Sequence, residues 1–238
     1  MGYQTNLRDT LQHIVSCPDL FGMFKFLTET QQSQLFGFLK NRDHNLFKAL
    51  NVKDRTIVIR DTGDNFRACS RYPTEQLSFS VLNMEKMVNS PYGQFLSNLW
   101  RGGESRESLE NHGKDHYQEL SQLVHNGIVL NVNGQDERFN VIVLLVADLC
   151  FTKEILGKCQ CTHQFGCFHC ELDSAKWNAK KKSVGEKQSI AKMKSRGEVA
   201  LKELGCKPNK DSAAYRKLTK SLYGQWVKSP FIVDSVNL

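Results

Sequence analysis

Apolar residues Leu7, Leu11 and Ile14 recur at spacings of four and three; Leu20, Phe24 and Leu27 repeat the spacing, as do Leu35 and Leu39. Such spacing lines one face of an α-helix. It predicts a small helical bundle or lead-in over residues 5 to about 50, with Pro18 breaking the first helix and Asn41-Arg42-Asp43 ending the third. The phenylalanines of this stretch (Phe21, Phe24, Phe26, Phe36, Phe38) read as core. From residue 56 the period changes. Thr56-Ile57-Val58-Ile59 is β-branched and predicts a strand running into Arg60-Asp61-Thr62-Gly63-Asp64. Leu77 to Leu82 alternates apolar and polar, and Gln94 to Trp100 fits a third strand before Gly102-Gly103. Leu109, Tyr117, Leu120, Leu123 and Val124 mark a helix ending at Asn126-Gly127. Ile128 to Val132 and Phe139 to Val146 then flank Asn133-Gly134, the residues a type I′ hairpin favours. The aliphatic run Val141 to Val146 predicts a strand buried on both faces, ending at Ala147-Asp148.

Three antiparallel strands, a helix and a central buried strand form the order of an RNase H-like core. The expected fold is therefore α/β, an incomplete RNase H-like mixed sheet with flanking helices. N-terminal helices precede it, and a Cys-rich, basic helical segment follows, which the family resemblance described below makes a zinc-knuckle insertion. The expected divisions are residues 1–52, a helical lead-in; 53–158, the first half of the core; and 159–238, the Cys-rich knuckle and basic insertion.

Composition narrows the class. The chain has 238 residues, 40% of them hydrophobic and 24% charged, which argues against disorder throughout, collagen or coiled coil. Its longest aliphatic run is far short of the ~20 residues a membrane helix needs. Residues 1–6 lack a basic-then-apolar signal pattern, and no Asn-x-Ser/Thr sequon occurs. A soluble chain in a reducing compartment is expected. Charge is uneven: residues 1–173 carry 17 Lys and Arg against 20 Asp and Glu, whereas residues 174–238 carry 15 against 5. The basic end is either a solvated helical face or a phosphate-contacting surface.

Two aspartates at strand ends are the candidate chemistry. Asp64 is expected just after the first strand and Asp148 at the end of the buried one. If those strands are neighbours, both carboxylates meet at one sheet edge and repel unless a cation holds them. Mg²⁺ or Mn²⁺ bound there would serve an in-line phosphoryl displacement. The plainer readings are a helix N-cap for Asp148 and an ordinary turn for Asp64. Asp61 is the rival to Asp64 if the strand is a residue or two out of register.

Four of the eight cysteines (Cys159, Cys161, Cys167, Cys170) fall within a dozen residues. The Cys167-Phe168-His169-Cys170 knuckle can turn two thiolates toward one tetrahedral Zn²⁺, which needs two further ligands. Cys159, Cys161 and His163 are the local candidates; otherwise the partners lie outside the chain. A redox pair and unliganded thiols are the alternatives. His169 reads as a solvated side chain, and the remaining histidines carry no signal. No phosphate-binding glycine loop or nucleophile elbow is present.

These stretches together resemble the first half of a cut-and-paste DDE transposase, of the kind that includes Transib-type transposases and the V(D)J recombinase catalytic subunit. The likeness rests on Ile57-Val58-Ile59 leading to Thr62-Gly63-Asp64, on Leu77 to Leu82, and on Trp100-Arg101-Gly102-Gly103-Glu104 before a Leu-rich helix. It rests most on Val143 to Asp148 followed nineteen residues later by Cys167-x-x-Cys170. It covers roughly residues 55–175. It implies Asp64 and Asp148 as catalytic Mg²⁺ ligands, Cys167 and Cys170 as structural zinc ligands, and a basic insertion that touches DNA. Asn65 stands where the family has Gly. The family's third carboxylate and paired zinc histidines are not evident: no His follows His169, and Glu198 and Glu203 are the acidic residues of the basic helix. A fragment or decayed copy is expected.

Three readings follow: a DNA-cleaving and strand-transfer core, a non-catalytic DNA-binding descendant, and a zinc-stabilised protein-interaction module. The expected partner is DNA, with homodimerisation open, no membrane and no small-molecule substrate. Nuclear location follows from that role and from Lys180-Lys181-Lys182.

Overall fold

A computed structural model describes residues 3–17, 55–69, 72–87, 90, 93–103, 105–159, 163–176, 185–205, 210–225 and 236–237. The second and third expected helices, the division at residues 52–53, Cys161 and Lys180–Lys182 lie outside them. The elements are β1 (Tyr3–Gln4), α1 (Leu7–Ser16), β2 (Thr56–Cys69), β3 (Tyr72–Val81), β4 (Gln94–Arg101), α2 (Arg106–His112), α3 (Lys114–Asn126), β5 (Ile128–Val132), β6 (Gln135–Leu145), α4 (Leu149–Leu156), α5 (Ile190–Leu204), α6 (Ala213–Ser221) and β7 (Val236–Asn237). The fold is α/β, a mixed sheet with flanking helices. Its strand order is β1-β4-β3-β2-β6-β5, with β7 also pairing with β6. Neighbours along β1-β4-β3-β2 are antiparallel, and so are β5 and β6. The pairs β2–β6 and β6–β7 are parallel.

One face of the sheet carries the core. Ile57, Ile59, Leu77, Phe79, Val81, Phe139 and Val143 pack with Leu109, Leu120, Leu123, Phe151 and Ile155 from the helices, all 2% exposed or less. Burial of each such side chain stabilises the fold by about 1.5–3 kcal/mol. Leu7, Leu11 and Ile14 of α1 join this core, so their helical spacing does reflect a buried face. The N-terminus is tied in by Glu119 of α3, whose carboxylate accepts from the first-turn N–H groups of Leu7 and Arg8 at 3.1 and 2.9 Å.

Three local expectations change. Strand β2 does not stop at Ile59; it pairs with β3 through Gly63↔Leu77 and Asp64↔Gln76, so Asp64 lies within a strand and not in a turn. The expected single helix after Gly103 is two, meeting at Gly113 between α2 and α3. The run Val141 to Val146 is not buried on both faces: Val141 and Val143 are buried, Ile142 and Leu144 half-buried, and Val146 is 52% exposed. Helices cover the face that Val141 and Val143 share with Ile57 and Ile59, and the opposite face is covered only in part. The Asn133-Gly134 hairpin forms as expected, both residues at positive φ (51° and 84°).

Candidate functional site

The parallel pair β2–β6 sets the geometry of the two candidate aspartates. Asp61 is level with Leu145, and the Val146 N–H donates to the Asp61 carbonyl at 2.9 Å. Strand β6 ends at Leu145, and Asp148 follows three residues later as the residue that caps α4, while β2 runs on past Asp61 and Asp64 to Cys69. Asp64 lies in the middle of β2 and Asp148 just past the end of β6, and both are exposed. Alternation along β2 places Asp64 with Arg60 and Thr62, on the face opposite Asp61 and Gly63.

Asp148 is also the N-cap of α4. Its Oδ1 accepts from the Phe151 N–H at 2.7 Å, and its carbonyl accepts from the Thr152 N–H and hydroxyl at 3.0 and 2.7 Å. The capping reading is thus realised, and it engages one carboxylate oxygen. Phe151, fully buried, lies flat against Gly63. A Cβ at Gly63 would come within 1.9–2.3 Å of its ring carbons, so the residue before Asp64 has to be glycine for α4 to sit where it does. The far end of α4 is held as firmly. Arg106 donates to the carbonyls of Glu154 and Ile155 at 2.7 and 2.9 Å, and Gln225 donates to those of Leu156 and Gly157 at 2.8 and 2.9 Å. These bonds satisfy the carbonyls a helix end leaves unpaired. Asp148 therefore projects from a helix fixed at both ends.

Asp61, the rival position, has other work. It is 1% exposed, and its Oδ1 is 2.8 Å from His116 Nε2, itself buried on α3. The other ring nitrogen, Nδ1, is 2.7 Å from Ser97 Oγ. Ser97 is an extra residue in β4, where the pairing slips between Leu77↔Asn98 and Ser78↔Leu96; such a bulge re-aims a side chain. Donor directions along the chain can be assigned. Asn98 Nδ2 donates to the His112 carbonyl at 2.9 Å, which turns Asn98 Oδ1 toward Ser97. The Ser97 hydroxyl donates to that oxygen at 2.7 Å and so accepts from His116 Nδ1–H. The remaining proton lies between Nε2 and the Asp61 carboxyl group, so the two side chains form one buried hydrogen-bonded pair.

The order Ser97–His116–Asp61 matches that of an acyl-transfer triad, but Ser97 has no exposed surface and its hydroxyl proton is held by Asn98. The chain of bonds is a buried tie joining β4, α3 and β2. Its neighbours feel it: burial pushes the Tyr117 hydroxyl well above the ordinary tyrosine range, and the charges of Asp61 and Glu75 push the same way. Glu75 is itself fully buried, and Arg106 is pulled down by burial against the pull of Glu110 and Glu154. None of this tie was anticipated from sequence, where the histidines carried no signal. The available sign was a single Asp two residues past Ile59, on the buried side of an alternating strand.

The Cys167 and Cys170 sulfurs converge to 3.5 Å. Two sulfurs on one tetrahedral zinc, each at ~2.3 Å, would lie about 3.8 Å apart. Burial pushes the Cys167 thiol up, while the backbone N–H groups of His169 and Cys170 pull it back by donating to the sulfur. This donor set suits a soft or borderline cation. The expected local partners do not gather around it. Cys159 Sγ is 3.6 Å from the Tyr215 hydroxyl, and His163 Nδ1 accepts from the Phe165 N–H at 3.2 Å. His169 is exposed, as expected of a solvated side chain. Among the described residues, no group of three or more His, Cys, Asp and Glu side chains converges to hold a metal. Glu198 and Glu203, the carboxylates considered for a third ligand, are exposed on α5.

The basic segment is folded against the knuckle. Lys158, 1% exposed, donates to the Tyr223 carbonyl at 2.5 Å and to Gln188 Oε1 at 3.1 Å. Burial, with Arg196 nearby, brings Lys158 down to about 8. Arg196 bonds Glu171 at 2.6 Å and lies 4.5 Å over the Tyr223 ring. On the outer surface of α5 and α6, Lys202, Arg216, Lys217 and Lys220 are exposed. No helix among the described residues is long and apolar enough to cross a membrane.

No protein-family model matches this chain, and no curated protein matches it.

Proposed function

We propose that the chain carries the first part of an RNase H-like DDE transposase core, acting on DNA. The observation that carries the reading is the parallel pairing of β2, which bears Asp64, with β6, which ends three residues before Asp148. The order β4-β3-β2-β6-β7, two antiparallel pairings followed by two parallel ones, supports the RNase H-like assignment. Asp64 and Asp148 are hard oxygen donors on exposed ground, the kind of ligand Mg²⁺ or Mn²⁺ takes. A cation held there would activate the attacking oxygen and stabilise the leaving one in phosphoryl transfer. The fixed helix α4 holds Asp148 in place, and Gly63 lets that helix close on the strand that carries Asp64. Zn²⁺ at Cys167 and Cys170, completed by ligands outside the described residues, would tie down the start of the basic segment. The exposed cations of α5 and α6 would contact DNA phosphates, and nuclear location belongs to the same reading.

Two measurements separate catalysis from mere binding. Four phosphate contacts from Lys202, Arg216, Lys217 and Lys220 would make log affinity for duplex DNA fall with log salt at a slope of about −3 to −4. A slope near zero, or no binding, would remove DNA from the account. Mn²⁺-dependent nicking of plasmid DNA, lost in both Asp64→Asn and Asp148→Asn, is expected of the catalytic reading. Salt-sensitive binding with no nicking and no response to Mn²⁺ would favour the non-catalytic descendant. The packing of Lys158, Arg196 and Tyr223 against the knuckle favours that second reading over a solvated tail, since it makes the basic segment a shaped surface.

A further inference from the structure

Residues 185–188 run antiparallel to the knuckle. Cys170 pairs with Lys187, and the Glu171 N–H donates to the Glu186 carbonyl at 2.8 Å. The approach is close: a Cβ at Gly185 would lie 2.6 Å from the Leu172 nitrogen. Gln188 completes the seam with three bonds to one turn. Its backbone N–H donates to the His169 carbonyl at 2.9 Å, and its side-chain Nε2 donates to the carbonyls of Cys167 and Cys170, both at 2.9 Å. Its Oε1 accepts from buried Lys158, which fixes which end of the amide faces the knuckle. Every hydrogen-bonding group on the amide head is therefore engaged, and both ligand-bearing residues are gripped by their backbones. Holding those two carbonyls on the Gln188 side orients the peptide units between them, whose N–H groups at His169 and Cys170 face the Cys167 sulfur.

We infer that Gln188 is the positioning residue of the knuckle, locking the Cys167–Cys170 turn with both sulfurs presented to a single zinc-class cation. The assignment rests on the zinc reading and deepens it. Outer partners of this kind typically change metal affinity 10–100-fold. Gln188 has the size for the contact and, through Lys158, a connection to the end of α4.

The test is a Co²⁺ titration of the full chain, read by the thiolate-to-cobalt absorption band, with Zn²⁺ competition for affinity. Wild type is expected to show the band, and Cys167→Ser to weaken or abolish it. Gln188→Leu is expected to keep the band shape and stoichiometry but to bind about 10–100-fold more weakly. Undiminished affinity in Gln188→Leu, with the band present in wild type, overturns the role of Gln188 while leaving zinc in place. No band in wild type overturns the zinc reading and this role with it. If Gln188→Leu loses the fold by circular dichroism, Gln188→Glu decides. Glutamate keeps an acceptor for Lys158 but has no N–H for Cys167 and Cys170, so unchanged affinity in that variant also overturns the assignment.

Discussion

His116→Leu is expected to destabilise the fold by about 3–5 kcal/mol, the usual consequence of removing one member of a buried pair of titratable groups. The loss is not mainly that of an attraction. Asp61 is 1% exposed and has its 2.8 Å bond to His116, so leucine at 116 strands a buried carboxyl group. Ser97 also loses the N–H that its hydroxyl oxygen accepts from. For a domain of this size, each kcal/mol shifts the melting temperature by about 2–4 °C, so a fall on the order of 10 °C is expected. Pairing the change with Asp61→Leu removes the stranded carboxyl group and should recover a good part of the loss. Urea unfolding of wild type, both single variants and the double variant measures all four corners of the cycle. A single-variant effect below about 1 kcal/mol would mean that Asp61 is not held by His116.

Asp148→Asn is expected to weaken divalent-cation binding about thirtyfold or more while leaving the fold nearly untouched. Asparagine is as good an N-cap as aspartate, so the bond to the Phe151 N–H can persist. The helix loses only the favourable charge at its N-terminus, about 0.3–1 kcal/mol. The cation loses far more. A unit charge and a divalent ion 4 Å apart attract by about 2 kcal/mol even at the dielectric constant of water. That is roughly thirtyfold in affinity, and more where the edge is less solvated. Mn²⁺ titration followed by the electron paramagnetic resonance of the free ion, beside thermal melts, separates the two effects. Equal Mn²⁺ affinity in the variant would return Asp148 to a capping role alone.

The sequence was legible where a pattern is local. The spacing of Leu7, Leu11 and Ile14 marked a buried helical face, and Asn133-Gly134 marked the hairpin, because both signals lie within a few residues. The α/β order of strands and helices followed from such signals. The extent of β2 was not legible, since Gly63 and Asp64 look like a turn until β3 is seen pairing with them across Leu77 and Gln76. Nor was the double burial of Val141 to Val146 sound, because an aliphatic run does not say how completely its second face will be covered. The Asp61–His116–Ser97 tie joins residues 55 and 19 apart in the chain, and the Gln188 contacts span 18 and 21. Contacts of that range depend on register, on a bulge in β4 and on helix rotation, none of which local periodicity encodes. The two exposed aspartates were visible because each ends or interrupts an apolar run. That the strand bearing Asp64 pairs in parallel with the strand leading to Asp148 required the fold.

The most direct test of whether Asp64 and Asp148 share a cation is anomalous diffraction at the manganese edge from crystals of the chain soaked in Mn²⁺. The account predicts a peak beyond the carboxyl end of β6, within about 2–2.5 Å of a carboxylate oxygen from both Asp64 and Asp148, as direct ligation of a hard cation requires. A peak on only one of the two, or none in well-ordered crystals, would contradict it and leave the knuckle and the basic helices as the functional features of the chain.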